Sequence, residues 1–215
     1  EPGAGLSATK RRIQDAWGAA CFDHAGATEI GAWGFECASR DGLHINEAEF
    51  LCEVIDPDTL EPAPAGELVV TNLGRACMPV IRYRTGDFVR WSQKLCDCDR
   101  TFRKLDGGVI GRLDDALHIR GVNVYPSAID NVLREFAEVG EYAVHVRRPQ
   151  NLDEVEVRFE TVGGTGDSNL AERLETALHD HLGLRVSGAV APAGSLPRFE
   201  LKAQRVTDHR SGEVV

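Results

Sequence analysis

Residues 111–130, GRLDDALHIRGVNVYPSAID, mark the point where the chain changes character. Before them the sequence is short alternating runs broken by glycines. At Pro126 a different pattern begins: PSAIDNVLREFAEV places apolar residues at 129, 132, 133, 136 and 139, which is helical spacing with proline in the first turn. YAVHVRR (142–148) and VEVRFETV (155–162) then alternate as strands do. SNLAERLETALHDHL (168–182) reads as a second amphipathic helix with Ser168 as its cap, and two further short strands follow. This β-α-β-β-α-β-like order describes a compact α+β unit of about 100 residues. The boundary is placed near residues 112–115, giving domains 1–113 and 114–215.

Upstream, SATKRRIQDAWGA (7–19) has Ile13 and Trp17 four apart on one helical face, Ser7 as a possible cap and Gly18 as a stop. The glycines at 26, 31 and 34 suit tight loops rather than elements. Residues 43–55 and 67–72 read as strands joined by the turn-rich DPDTLEPAPAG, hence a hairpin. PVIRYRTGDFVRW (79–91) reads as strand, turn, strand. The first part is therefore mostly β, with Trp33 and Trp17 expected in the core or in a pocket wall.

With 215 residues, 42% hydrophobic and 27% charged, the composition is that of an ordinary globular chain with a core in each part. A net charge of −10 argues against sequence-independent nucleic-acid binding and against an anionic membrane surface, since both need basic protein surface. No apolar stretch is long enough to span a bilayer. The opening EPGAG has neither an initiator methionine nor the n- and h-regions of a signal peptide, and reads as though the chain began in the middle of something. Six cysteines spread over a core-forming chain favour reduced thiols or a metal, which fits a cytoplasmic setting.

Four clusters carry candidate chemistry. DHAGATE (23–29) offers a hydroxyl and a carboxylate from one loop, suited to a phosphate contact and a Mg²⁺ ligand, although a Thr-Glu pair after glycine also starts many helices. RYRTGD (82–87) places a carboxylate where it could accept both ribose hydroxyls, or simply terminate a β-turn. Arg112, Asp114 and Asp115 lie at the boundary, where an exposed salt-bridged linker is the plain alternative. Lys202, in LPRFELKAQRV (196–206), would taken alone be a solvated surface lysine. His179, His181, Arg147 and Arg148 read as solvated.

In this order the four clusters are far more specific. With GLHINE, EVIDP, GELVVTNL, MPVIRYRTGD and the LPR…K…RV ending, the chain resembles the C-terminal half of phenylacetate–CoA ligase-like enzymes of the adenylate-forming superfamily, from Glu1 to about Arg210. The resemblance implies the C-terminal part of a β-rich core domain followed by a small mobile α+β domain. It implies an ATP-dependent, AMP-forming acid–thiol ligase: a small aromatic or acyl carboxylic acid and ATP give an acyl-adenylate, then a CoA thioester. Residue by residue, Glu1 and Pro2 would end a segment lining the adenine pocket, and Asp23, Ala25 and Gly26 would belong to the nucleotide loop. Thr28 would contact phosphate, Glu29 would hold Mg²⁺, Asp87 would grip the ribose and Arg112 would touch ribose or phosphate. Asp114 would be the hinge, Arg120–Gly121 would face CoA after rotation, and Lys202 would be the catalytic lysine.

Three departures stand out. Ala25 occupies the family's tyrosine position, and losing that stacked ring is expected to weaken nucleotide binding by about 1–3 kcal/mol. Phe199 and Leu201 replace small residues before Lys202. The family's phosphate loop and most of its acyl pocket lie upstream of the matched motifs, so an N-terminal half or a longer precursor is an expected partner. A split-chain or non-catalytic, zinc-braced nucleotide-binding module is the alternative. The zinc follows from Cys96-Asp97-Cys98, which resembles a CPCGRT segment of this branch; with Cys37 and His44 it offers three thiolates and an imidazole for a structural tetrahedral site. Free loop cysteines are the plain alternative. Cys21, Cys52 and Cys77 read as small core residues.

Overall fold

The structure is a computed structural model that describes residues 5–164, 169–199 and 204–210. It divides into two compact units between Ala116 and Leu117, three residues beyond the division expected from the sequence.

The first unit opens with helix α1 (Ser7–Trp17), which Gly18 ends in the left-handed conformation at φ 61°, its N–H returning to the Gln14 carbonyl. Ser7 is already helical and Leu6 occupies the cap position without a side-chain bond, so the expected serine cap is not formed. Trp17 is 82% exposed, against the expectation that it is buried, whereas Trp33 is 2% exposed in the core.

Two four-stranded antiparallel sheets follow. One orders β1 (His24–Ala27), β2 (Gly31–Glu36), β3 (Gly42–Ile45) and β7 (Lys104–Asp106). The other orders β4 (Phe50–Ile55), β5 (Ala65–Asn72), β6 (Tyr83–Arg90) and β8 (Gly111–Arg112). Trp33, Leu43, Ile45 and Leu105 from the first share one core with Phe50, Val54, Leu68, Val70 and Val89 from the second. At about 1.5–3 kcal/mol per large buried apolar side chain, this shared core is what holds the two sheets together.

Three local expectations change. The run 43–55 is two strands in different sheets, because the chain turns at Asn46, whose carbonyl accepts the N–H groups of Glu49 and Phe50 at 3.0 Å each. The glycines at 26, 31 and 34 lie in strands rather than loops. Gly26 has a steric reason: a Cβ there would come 2.7 Å from the Gly31 carbonyl and 2.9 Å from Ala32 Cα across the hairpin. The RTGD run is one bulged strand, not strand, turn, strand. Of the cysteines expected in the core, Cys52 is buried, Cys21 is half-buried and Cys77 is exposed.

The second unit begins with the hairpin β9 (Leu117–Ile119) and β10 (Val122–Val124) and helix α2 (Pro126–Arg134), with proline in its first turn as expected. β11 (Val139–Arg147) and β12 (Glu154–Thr161) form an antiparallel pair. Helix α3 (Leu170–Leu182) then crosses to β13 (Val186–Val190), parallel to β12. β14 (Val206–Asp208) completes the order β13-β12-β11-β14. Alternate residues of the central strands, Tyr142, Val144 and Val146 with Val155, Val157 and Phe159, meet Ile129, Val132 and Leu133 of α2 and Leu170, Leu174 and Leu178 of α3. Ser168, the expected cap of α3, lies outside the described residues.

Candidate functional site

Thr28 and Glu29 form the exposed tip of the β1–β2 hairpin, not a helix start. Gly31 follows at φ 96°, a conformation that favours glycine, and Ile30 anchors the tip in the core at 0% exposure. The turn's carbonyls are held from another strand. Asn72 Nδ2 donates to the Ile30 carbonyl at 2.7 Å, and Arg75 Nη1 donates to the Glu29 carbonyl at 3.0 Å. Asn72 Oδ1 also accepts the N–H groups of Gly74 and Arg75 at 2.9 and 3.1 Å, so one amide shapes the loop that presents Arg75 and fixes the hairpin tip. Neither residue was a sequence candidate; the available signal was the Asn-x-Gly pattern in TNLGR. Asp23, just before β1, has its N–H on Glu36 Oε2 at 2.8 Å, and Lys10 Nζ meets Glu36 Oε1 at 2.6 Å. Ala25 is half-buried in β1 opposite Gly34.

At RTGD the ladder between β5 and β6 jumps from Glu67↔Phe88 to Val69↔Arg84, so that Leu68 alone faces Thr85, Gly86 and Asp87. Thr85 Oγ1 donates to the Leu68 carbonyl at 2.9 Å and accepts the Asp87 N–H at 3.0 Å. Gly86, at φ 75°, presents no side chain to Arg112, whose Nη2 would lie 2.8 Å from a Cβ there. Asp87 pairs in register with Arg112 on β8. Arg112 Nη1 lies 3.0 Å from the Thr85 carbonyl and 3.5 Å from Asp87 Oδ1, while its Nε and Nη2 reach both oxygens of Asp114 at 2.9 and 3.1 Å. Partial burial raises the Asp87 carboxyl above the usual carboxylate range, and the Arg112 charge opposes that rise. Arg112 is thus a three-way connector between the bulge, Asp87 and Asp114.

The four metal candidates come together. Cys37 follows β2, His44 lies in β3, and Cys96 and Cys98 lie between β6 and β7; their ligand atoms are all within 4.8 Å of one another. Cys37 and Cys96 sulfurs are 3.5 Å apart, and Cys98 Sγ is 3.4 Å from His44 Nε2. His44 is fully buried, and its Nδ1 donates to the Phe102 carbonyl at 3.0 Å, which leaves the lone pair on Nε2, the nitrogen that faces Cys98 Sγ. The Cys98 N–H and the Ser39 hydroxyl pull the Cys96 thiol down to about 6, while burial pushes Cys37 up. Three thiols and a correctly prepared imidazole are the donor set a closed tetrahedral zinc site uses, so these residues fit that ion.

In the second unit, Arg120 and Gly121 both take positive φ, 49° and 82°, at the β9–β10 turn, where Arg120 Nε reaches the Asp153 carbonyl at 2.8 Å. Glu1, Pro2 and Lys202 lie outside the described residues. The segments flanking Lys202 are anchored. Arg198 forks onto buried Glu160 at 2.6 and 3.2 Å, and the same carboxylate takes the N–H groups of Gly194 and Leu196 at 3.0 and 2.8 Å. Arg205 Nε meets Glu141 at 2.6 Å.

The model of the AMP-binding enzyme C-terminal domain matches residues 121–210. The chain is 37% identical to the phenylacetate–coenzyme A ligase of Thermus thermophilus, over 94% of this chain and 51% of that protein. It is 33% identical to the enzyme of the same name from Escherichia coli (strain K12), over 95% of this chain and 49% of that protein. The crystal structure of 2-hydroxyisobutyryl-CoA ligase in its postadenylation state, with an acyl-AMP bound, matches at TM-score 0.84 and 32% identity, over 99% of this chain and 48% of that one. The chain thus spans about half the length of the curated relatives it matches. Residues 121–210 thus match the AMP-binding enzyme C-terminal domain, and the chain as a whole is homologous in sequence and fold to about half the length of phenylacetate–CoA ligases and of 2-hydroxyisobutyryl-CoA ligase.

Proposed function

We propose that this chain supplies the ribose- and phosphate-handling residues and the mobile catalytic part of an ATP-dependent, AMP-forming acid–CoA ligase. A carboxylate oxygen attacks the α-phosphorus of ATP, pyrophosphate leaves, and the acyl-adenylate then passes its acyl group to the CoA thiol with release of AMP. Asp87 accepts the ribose hydroxyls and Arg112 steadies ribose or phosphate. Thr28 contacts phosphate and Glu29 binds the Mg²⁺ that offsets charge at the reacting phosphate. Lys202 stabilises the same charge from the second unit, Asp114 is the hinge, and Arg120–Gly121 faces CoA in the second step. The names of the relatives support an aromatic or small acyl acid as substrate. The single observation that carries the reading is the bulge that sets the half-buried Asp87 carboxylate directly across from Arg112.

Cys37, His44, Cys96 and Cys98 hold a structural zinc in the same proposal. Their mutual distances and the Nδ1 hydrogen bond of His44 support it. The six free thiols support a reducing, cytoplasmic setting. The test is acid-dependent ATP–pyrophosphate exchange by the chain together with the N-terminal half expected above, with phenylacetate among the acids; these 215 residues assayed alone are expected to show none. Exchange should fall by about 10²-fold or more in Asp87→Ala, the size expected when hydrogen bonds to a charged group are lost from a binding site. An Asp87→Ala protein with undiminished exchange and ATP affinity would refute the assignment.

A further inference from the structure

Glu67 lies on β5, outside every motif assigned a role above, yet it is 3% exposed and both of its oxygens are engaged at the RTGD bulge. Oε1 accepts the Gly86 N–H at 3.1 Å. Oε2 accepts Arg84 Nε at 2.7 Å and also takes the Arg84 Nη2. A bulge leaves backbone groups without ladder partners, and a buried N–H left unpaired is costly. Glu67 supplies the missing partner for the residue immediately before Asp87. The bulge is therefore held from both sides: Glu67 takes the Gly86 N–H, and Thr85 Oγ1 takes the Asp87 N–H. The Arg84 side chain is half exposed, so a solvent-facing guanidinium neutralises the buried carboxylate from the rim of the sheet.

We propose that Glu67 is a positioning residue for nucleotide recognition: by filling the bulge it fixes the backbone of Gly86 and Asp87 and so aims the Asp87 carboxylate at the ribose hydroxyls. The proposal rests on the reading of Asp87 as the ribose ligand. Its action on the nucleotide runs wholly through Asp87, and this gives it a signature that a general stabilising role lacks. Losing Glu67 should weaken recognition of the ribose diol specifically, leaving the contribution of phosphate and base.

The experiment measures binding of AMP and of its 2′,3′-dideoxy analogue to the full chain by calorimetry, for the wild type, Glu67→Gln and Thr85→Val. Wild type should prefer AMP by about tenfold or more, the usual scale of hydrogen bonds to a charged acceptor. Glu67→Gln should reduce that preference to about twofold while changing the affinity for the dideoxy analogue little. Thr85→Val, which removes the other brace with a side chain of nearly the same shape, should reduce it partway. A wild type that does not distinguish the two nucleotides overturns the ribose assignment itself. A wild type that does, with both variants keeping the full preference, overturns the role of Glu67. If Glu67→Gln fails to fold, Thr85→Val alone decides: an unchanged preference in that variant counts against positioning by the bulge.

Discussion

Cys37 Sγ and Cys96 Sγ lie 3.5 Å apart across 59 residues of chain, too far for a disulfide and close to the edge of a zinc tetrahedron. Zinc–sulfur bonds of about 2.3 Å imply sulfur–sulfur edges of roughly 3.7 Å. Cys98 and His44 form a second edge at 3.4 Å. The expected outcome is about one zinc per chain by elemental analysis, lost in Cys96→Ser/Cys98→Ser. Because the ion closes a long loop within the first unit, chelation should lower that unit's melting temperature. All three tryptophans lie there, so their fluorescence reports it, while the cysteine-free second unit should be unaffected. Metal-free protein of unchanged stability would show that the four residues are merely neighbours.

Lys202→Ala should separate the two half-reactions. The lysine is assigned to the adenylation step only, so with the N-terminal half supplied acid-dependent pyrophosphate exchange should fall by roughly 10²–10³-fold, the scale of losing one preorganised electrostatic stabiliser. Thioester formation from preformed acyl-adenylate should be retained. Equal losses in both steps would contradict the assignment of Lys202 to one conformation.

What could be read in advance follows the physics of each signal. The α+β character of the second unit was legible because period-3.6 and period-2 patterns are carried by buried residues such as Ile129, Val132 and Leu133 or Tyr142, Val144 and Val146. The first unit was less legible. Its strands are short, and the break between Ile45 and Phe50 depends on backbone bonds to the Asn46 carbonyl that no side-chain pattern announces. The metal candidates were legible as a set of donor types, but that Cys37 meets Cys96 is a tertiary fact. Asn72, Arg75 and Glu67 were missed for one shared reason. They act on backbone groups of other segments, and one-dimensional spacing carries no trace of which carbonyl or N–H will need a partner.

Arg75→Ala should loosen the Thr28–Glu29 tip without unfolding the sheet, since Ile30 still anchors it in the core. At about 0.5–1.5 kcal/mol for the lost hydrogen bond, the KM for Mg-ATP in the exchange reaction should rise by about 2–10-fold. The KM for CoA should stay unchanged, because among the described residues the Arg75 guanidinium hydrogen-bonds to the Thr28 and Glu29 carbonyls of the hairpin tip. A rise in the CoA KM alone would place Arg75 elsewhere in the cycle.

Glu160 makes the stability of the second unit depend on acid in a defined direction. The Arg198 guanidinium, with the Gly194 and Leu196 N–H groups, holds its carboxyl at about 2, and the Arg148 guanidinium holds Asp153 likewise at about 2. Unfolded, these groups titrate near about 4.3 and 3.9. A carboxyl depressed on folding contributes its full stabilisation above the unfolded value and loses it as the pH falls toward the folded one. The protection of β11 and β12 amides against hydrogen exchange should therefore be flat from neutral pH down to about 4.5 and then decline steeply toward about 2. Protection is to be expressed as opening free energy, so that the intrinsic pH dependence of exchange is removed. Glu160→Gln should lower protection at neutral pH, because Arg198 and two N–H groups lose their anion. It should also make the decline below pH 4.5 shallower, with the remaining slope shared among Asp153, Glu141 and Asp208, whose carboxyls are held low by Arg148, Arg205 and Arg210, and reduced again by adding Asp153→Asn. A Glu160→Gln protein with an acid slope as steep as the wild type would show that Glu160 is not held low by this network, and that the Arg198 fork does not anchor the segment leading to Lys202.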